Sequence, residues 1–169
     1  MRVDIPPFND IRVRRAALMA IDFKAISDSV FGGKGWILAY PWDYAKEYAD
    51  LYVELDDPDI PESTRELYTF HPEKAKQLLK EAKYDGTPVV ILHPTDISSV
   101  NTQPVVIADA LRKAGFKVDL QSMDWQTVTT RRASKKPPAE GGWNLHPTNG
   151  PLVGISDPLR NQAVGTNGS

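Results

Sequence analysis

The 169-residue sequence contains no cysteine, which removes disulfide frameworks, thiolate zinc sites and cysteine nucleophiles together. It also lacks any apolar run near the ~18 residues that a bilayer-spanning helix needs, so nothing in it reads as membrane-spanning. The amino terminus, Met1 to Pro7, has no apolar core of about 7–15 residues such as a signal peptide carries. Taken alone, that end reads as cytoplasmic or as the start of a piece within a longer protein. There is no excess of charge of one sign: 20 basic residues face 22 acidic ones, for a net charge of −2. Without a basic block, a nucleic-acid or anionic-membrane partner has no electrostatic footprint.

Chemical motifs are equally scarce. Gly32-Gly33-Lys34-Gly35 is glycine-rich, yet it follows no predicted strand and lacks the Gly-Lys-Ser/Thr ending of a phosphate loop, so it reads as a helix stop. No nucleophile elbow or serine-histidine-acid set stands out. His71, His93 and His146 are far apart and show no metal-ligand spacing, although His93 and His146 both follow predicted strands and could converge. Asp56-Asp57-Pro58-Asp59 lacks the glycine and the distant glutamate of a calcium loop and reads as a solvated turn. No metal, cofactor or catalytic residue is expected.

What is present is the patterning of one compact α/β domain, a size at which a chain buries about 70% of its unfolded surface. Asn9 or Asp10 can cap a first helix that carries Val13, Ala17, Ala20 and Ile21 on one face. Ala25, Ile26 and Val30 suggest a second, stopped by Gly32-Gly33. From Lys34 to Leu67 the pattern is irregular and aromatic. Pro72 suits a first helical position, and Ala75, Leu78, Leu79 and Ala82 then repeat at helical spacing. Val89 to Leu92 is a short continuous apolar run, as in a strand buried on both faces. Ile107, Ala110, Leu111 and Ala114 predict a further helix, with Pro104 in its first turn and Gly115 as terminator. Phe116, Val118 and Leu120 alternate with polar residues as in a half-buried strand. The strand, helix, strand order over Val89 to Gln121 has the length of a βαβ crossover. Asp124 can cap a last helix to about Ala133, and Trp143-Asn144-Leu145 can add a short strand.

Three segments together resemble the family 5 extracellular solute-binding proteins, whose members include dipeptide-, oligopeptide- and nickel-binding components of ABC importers. Pro7-Phe8-Asn9-Asp10-Ile11-Arg12-Val13-Arg14-Arg15-Ala16, followed by Ala20-Ile21-Asp22, is similar to that family's P-F-x-D-x-R-V-R-x-A-x-x-x-A-I-D stretch. His71-Pro72-Glu73-Lys74-Ala75-Lys76-Gln77-Leu78-Leu79 resembles its D-P-E-K-A-K-x-L-L helix, with His71 in place of the usual aspartate. Ala114-Gly115-Phe116-Lys117-Val118, then Met123-Asp124-Trp125, then Gly142-Trp143-Asn144-Leu145 follow in the family's order.

The resemblance implies one lobe of a type II periplasmic binding protein, an α/β fold with a mixed or parallel sheet flanked by helices. Residues 1–163 would form the carboxy-proximal lobe, the first lobe would be absent, and 164–169 would be a disordered tail. It further implies extracytoplasmic, non-catalytic capture of a peptide or other small-molecule ligand, with ABC permease subunits as partners. A small hydrolase-like enzyme domain and a protein-interaction domain are the alternatives.

By the same resemblance, Trp125 and Arg132 match positions that can face the ligand, with Thr129 completing their stripe. The alternative is that Trp125 packs on the sheet and Arg132 is solvated. His146, Thr148 and Asn149 follow the last strand, where open α/β sheets present binding loops. Trp36 and Trp42 belong to an aromatic cluster that could serve either cleft contact or packing. Peptide-binding relatives carry an aspartate near residues 149–154 that pairs with a peptide amino terminus; this sequence has none there.

Overall fold

A computed structural model describes residues 1–33, 39–40, 53–98 and 100–147. Six α-helices are seen among them, α1 (Ile11–Met19), α2 (Phe23–Phe31), α3 (Glu62–Leu67), α4 (Pro72–Glu81), α5 (Thr102–Lys113) and α6 (Trp125–Arg132), with a 3-10 turn at Pro138–Glu140. The strands are β1 (Ala39–Tyr40), β2 (Val53–Glu54), β3 (Val89–Pro94) and β4 (Val118–Met123). β1 and β2 form a short antiparallel pair, and β3 and β4 pair in parallel, from Val89 opposite Val118 to Pro94 opposite Met123. The expected α/β fold with a parallel sheet is therefore present, with α5 as the crossover.

Local chemistry explains most element boundaries. The Asp10 side chain accepts from the Arg12 backbone N–H at 2.8 Å and so caps α1. Asp124 does the same for α6 through the Thr127 N–H at 2.8 Å, satisfying a donor that the first turn leaves open. Gly32 ends α2 at φ 59°, a left-handed conformation costly for any side chain with a Cβ. Pro72 opens α4, where a missing N–H costs nothing.

Two stretches differ from the sequence reading. Within the span read as irregular, α3 forms with no buried residue, so it leaves no apolar periodicity to detect. Arg65 on α3 donates to the carbonyls of Leu55, Asp57 and Ile60 and thereby closes the acidic turn of residues 56–59. The second difference is the third strand, which is reduced to a single parallel bridge between Ile91 and Leu145. The cause is Asn144: its side-chain Oδ1, rather than a backbone carbonyl, accepts from the Val90 N–H at 2.8 Å. A side chain has taken a rung of the ladder, and regular pairing stops there.

The sheet has two unlike faces. Val89 and Ile91 join the larger core with α1, α4 and α5, including Phe8, Ala75, Leu79, Ala108, Leu111 and Phe116. Val90 and Leu92, alternating with them, join a smaller cluster of Val128 and Trp143, with Met123 and Trp125 packed at its margin. Along β3 and β4 the alternation therefore assigns His93 and Ser122 to the α5 side and Gln121 and Met123 to the α6 side.

A candidate ligand-binding edge

The carboxyl ends of β3 and β4 and the bridge at Leu145 converge on one edge of the sheet. α6 starts at that edge. The Trp125 backbone N–H donates to Asp96 Oδ1 at 2.8 Å, joining the first turn of α6 to the loop after β3. The Trp125 ring is half-buried against the smaller cluster. Seven residues further, Arg132 lies on the same helical stripe, since seven steps of 100° return within 20°, and about 10 Å along the axis. Val128 between them is fully buried and fixes which face of α6 meets the sheet. Thr129, expected to complete the stripe, turns its hydroxyl back to the Gln126 carbonyl at 2.8 Å.

The two adjacent arginines at the end of α6 are used differently. Arg131 is fully engaged: Nε donates to the Gly141 carbonyl at 3.1 Å, and its Nη atoms donate to Gln121 Oε1 at 2.6 Å and the Gly142 carbonyl at 2.7 Å. Arg132 is half-buried, and among the described residues no carboxylate or carbonyl holds its guanidinium. Its backbone carbonyl accepts from the Trp143 indole Nε1–H at 3.2 Å. His146 packs edge-on against the same indole, with ring centroids 4.5 Å apart, and its Nδ1 lies 2.8 Å from the Pro147 carbonyl oxygen. Trp143 thus touches both Arg132 and His146. Trp36, Trp42, Thr148 and Asn149 lie outside the described residues, as does the tail 164–169.

Across the sheet, His93 bonds through Nδ1 to Ser122 Oγ at 2.9 Å. It lines a cavity of about 330 Å³ with Thr95, Asn101, Thr102, Val105 and Val106. Sequence reasoning weighed His93 only as a metal ligand and missed this cavity. The available signal was positional, since Thr95 and Asn101 lie just beyond a strand end. His93 and His146 belong to opposite sides of the sheet. Among the described residues, no group of three or more His, Cys, Asp or Glu side chains is placed to hold a metal ion. No described helix is long and apolar enough to cross a membrane.

Carboxylates near this edge serve as caps. The Thr127 hydroxyl and N–H bind the ionised form of Asp124 and hold its carboxyl below the usual range. What the α6 side offers a ligand is therefore an aromatic ring, a guanidinium and an imidazole on a fixed frame, suited to an amide plane or an anionic group.

The α/β lobe with its parallel sheet is similar to a solved structure of HbpA2 from Haemophilus parasuis. That structure superposes with a TM-score of 0.59 at 27% identity, over 85% of this chain and 26% of that one. The chain belongs to the bacterial extracellular solute-binding proteins, family 5, whose family model matches residues 1–153. A probable peptide ABC transporter periplasmic-binding protein of Sinorhizobium fredii is 31% identical over 140 residues, covering 82% of this chain and 25% of that protein. The periplasmic oligopeptide-binding protein OppA of Escherichia coli is 30% identical over 165 residues, covering 95% of this chain and 29% of that protein. The chain thus spans between a quarter and three-tenths of the length of these relatives.

Proposed function

We propose that this chain is the carboxy-proximal lobe of a two-lobed, non-catalytic solute-binding protein that works outside the cytoplasm and delivers its ligand to an ABC permease. Residues 1–163 are the lobe in this reading. A peptide-like or other small solute lies between the lobes, and closure about a hinge buries it and creates the form the permease recognises. The observation that carries the reading is the Trp125–Arg132 stripe of α6: a half-buried ring and a guanidinium that no carboxylate or carbonyl holds among the described residues, at the loop edge of a parallel sheet. His146, Thr148 and Asn149, and Trp36 and Trp42 as aromatic contacts, are the further ligand residues assigned from the sequence and its resemblance to the family. The printed names of the relatives supply the peptide class. Residues 149–154 contain no acid, which weighs against a charged amino terminus as the group held there and leaves the ligand class open, with the arginine suited to an anionic or carbonyl-rich part of the solute.

The test is a thermal-shift screen of the two-lobed protein against pools of short peptides and other small solutes. A ligand at about a hundredfold excess over its Kd stabilises the native state by about 2.7 kcal/mol, which a melting curve resolves. Stabilisation by at least one pool supports the reading. No shift with any pool, together with hydrolysis of a pool component, would transfer it to the enzyme alternative.

A further inference from the structure

A helix leaves its last carbonyls without partners, and a buried indole N–H needs an acceptor. In α6 both needs meet in one bond, from Trp143 Nε1 to the Arg132 carbonyl at 3.2 Å. Trp143 is completely buried. His146 lies edge-on against it, and the Arg2 guanidinium sits 5.9 Å from its ring centroid. Arg2 is itself almost fully buried, at 3% exposure, and is pinned by the Lys136 carbonyl at 2.7 Å. Its backbone N–H donates to the Asn144 carbonyl at 2.8 Å. The ring therefore has little room to turn, and whatever it holds inherits that rigidity.

We propose that Trp143 is a positioning residue of the ligand edge, setting where Arg132 and His146 stand without being a contact of the solute. This rests on the preceding functional reading, because it gives the two residues a reason to be held. The hydrogen bond fixes the last turn of α6, from which the Arg132 side chain extends. The edge-on ring contact fixes the imidazole. Arg131, one residue earlier, ties the same turn to Gly141 and Gly142, so Trp143 supplies the lateral restraint while Arg131 supplies the link along the loop.

Trp143→Phe tests this, since it keeps an aromatic ring for Arg2 and His146 while removing the N–H donor together with part of the buried indole volume. The parent's indole N–H should exchange with solvent more slowly than that of half-buried Trp125. In the variant, the carbonyl carbon of Arg132 and the amide of Ala133 should shift in NMR spectra, while the β3 and β4 amides stay in place. Trp143→Leu should in addition release the His146 imidazole protons from their ring-current shift, with His71 and His93 unmoved as internal references. In the two-lobed protein, a pool of random tri- to pentapeptides should bind Trp143→Phe about tenfold more weakly, the loss expected when one hydrogen bond stops fixing a binding group. Unchanged Arg132 and Ala133 signals in Trp143→Phe would overturn the proposal. So would shifted signals with unchanged peptide affinity, because Trp143 would then be structural only. If the parent binds no peptide, the functional reading fails by itself, and the positioning claim is decided by the NMR comparison.

Discussion

Replacing Asn144 with alanine should be among the most damaging single changes in the lobe, although the residue is polar and touches no proposed ligand contact. Asn144 is fully buried. Its Oδ1 accepts from the Val90 N–H at 2.8 Å, and its Nδ2 donates to the Pro6 carbonyl at 3.1 Å. Alanine leaves the buried Val90 N–H unmet, at about 1–3 kcal/mol, while the carbonyl of the exposed Pro6 can turn to water. A loss of about 1–3 kcal/mol is still a large part of the stability of a domain this size. With a urea m-value of about 2 kcal/mol per M, the unfolding midpoint should fall by about 0.5–1.5 M. Asn144→Asp keeps the Val90 bond but sets a carboxylate against the Pro6 carbonyl, so it should also be destabilised. Lys113→Ala is the control. It removes only an exposed pair with Asp109 and should cost less than about 0.5 kcal/mol. If Asn144→Ala unfolds within 0.3 M of the parent (about 0.6 kcal/mol at that m-value), the side chain does not replace a rung of the sheet and the account of the interrupted third strand is wrong.

The adjacent arginines should separate in the same urea assay: Arg131→Ala should cost about 1–3 kcal/mol through its lost charged hydrogen bonds, and Arg132→Ala should stay within about 0.5 kcal/mol of the parent. Gly142→Ala should destabilise strongly, because a Cβ there would lie 2.0 Å from the Lys136 carbonyl oxygen. Gly86→Ala, at φ 83° with nothing within 4 Å of its Cβ, should cost only the backbone strain of about 1–2 kcal/mol. Asp10 is held down to about 2 by the Arg12 side chain and backbone N–H. A carboxylate whose folded value is depressed stabilises above its unfolded value and loses that contribution as pH falls through the folded one. The capped end of α1 should therefore weaken between about pH 4 and pH 2, and Asp10→Asn, which retains a capping oxygen, should flatten that part of the stability profile measured by urea midpoints.

Much of the frame was legible because its signals are local. Asp10 and Asp124 as caps, Pro72 at a helix start, Gly32 as a stop and the apolar run from Val89 are each read within a few residues. α3 escaped because it has no fully buried residue and sets only Leu67 against the core, and apolar spacing reports burial rather than helicity. The third strand was misjudged because Asn144 makes its bond to a residue 54 positions away, which no window along the chain contains. The candidate edge shows the same division. Helical arithmetic puts Trp125 and Arg132 on one stripe, but the different uses of Arg131 and Arg132 depend on Gly141, Gly142 and Trp143, which reach the end of α6 only in the folded chain. The cavity beside His93 needed the pairing of His93 with Ser122 across two strands.

The central claim is that the α6 stripe at the loop edge of the sheet grips a solute. It is tested most directly by calorimetric titration of the two-lobed protein with a peptide from whichever pool stabilises it, comparing parent, Trp125→Ala and Arg132→Ala. An aromatic anchor and a charged hydrogen-bonding group are worth about 2 kcal/mol each, so each variant should bind about thirtyfold more weakly while the lobe stays folded. Equal affinity for the parent and both folded variants would contradict the claim.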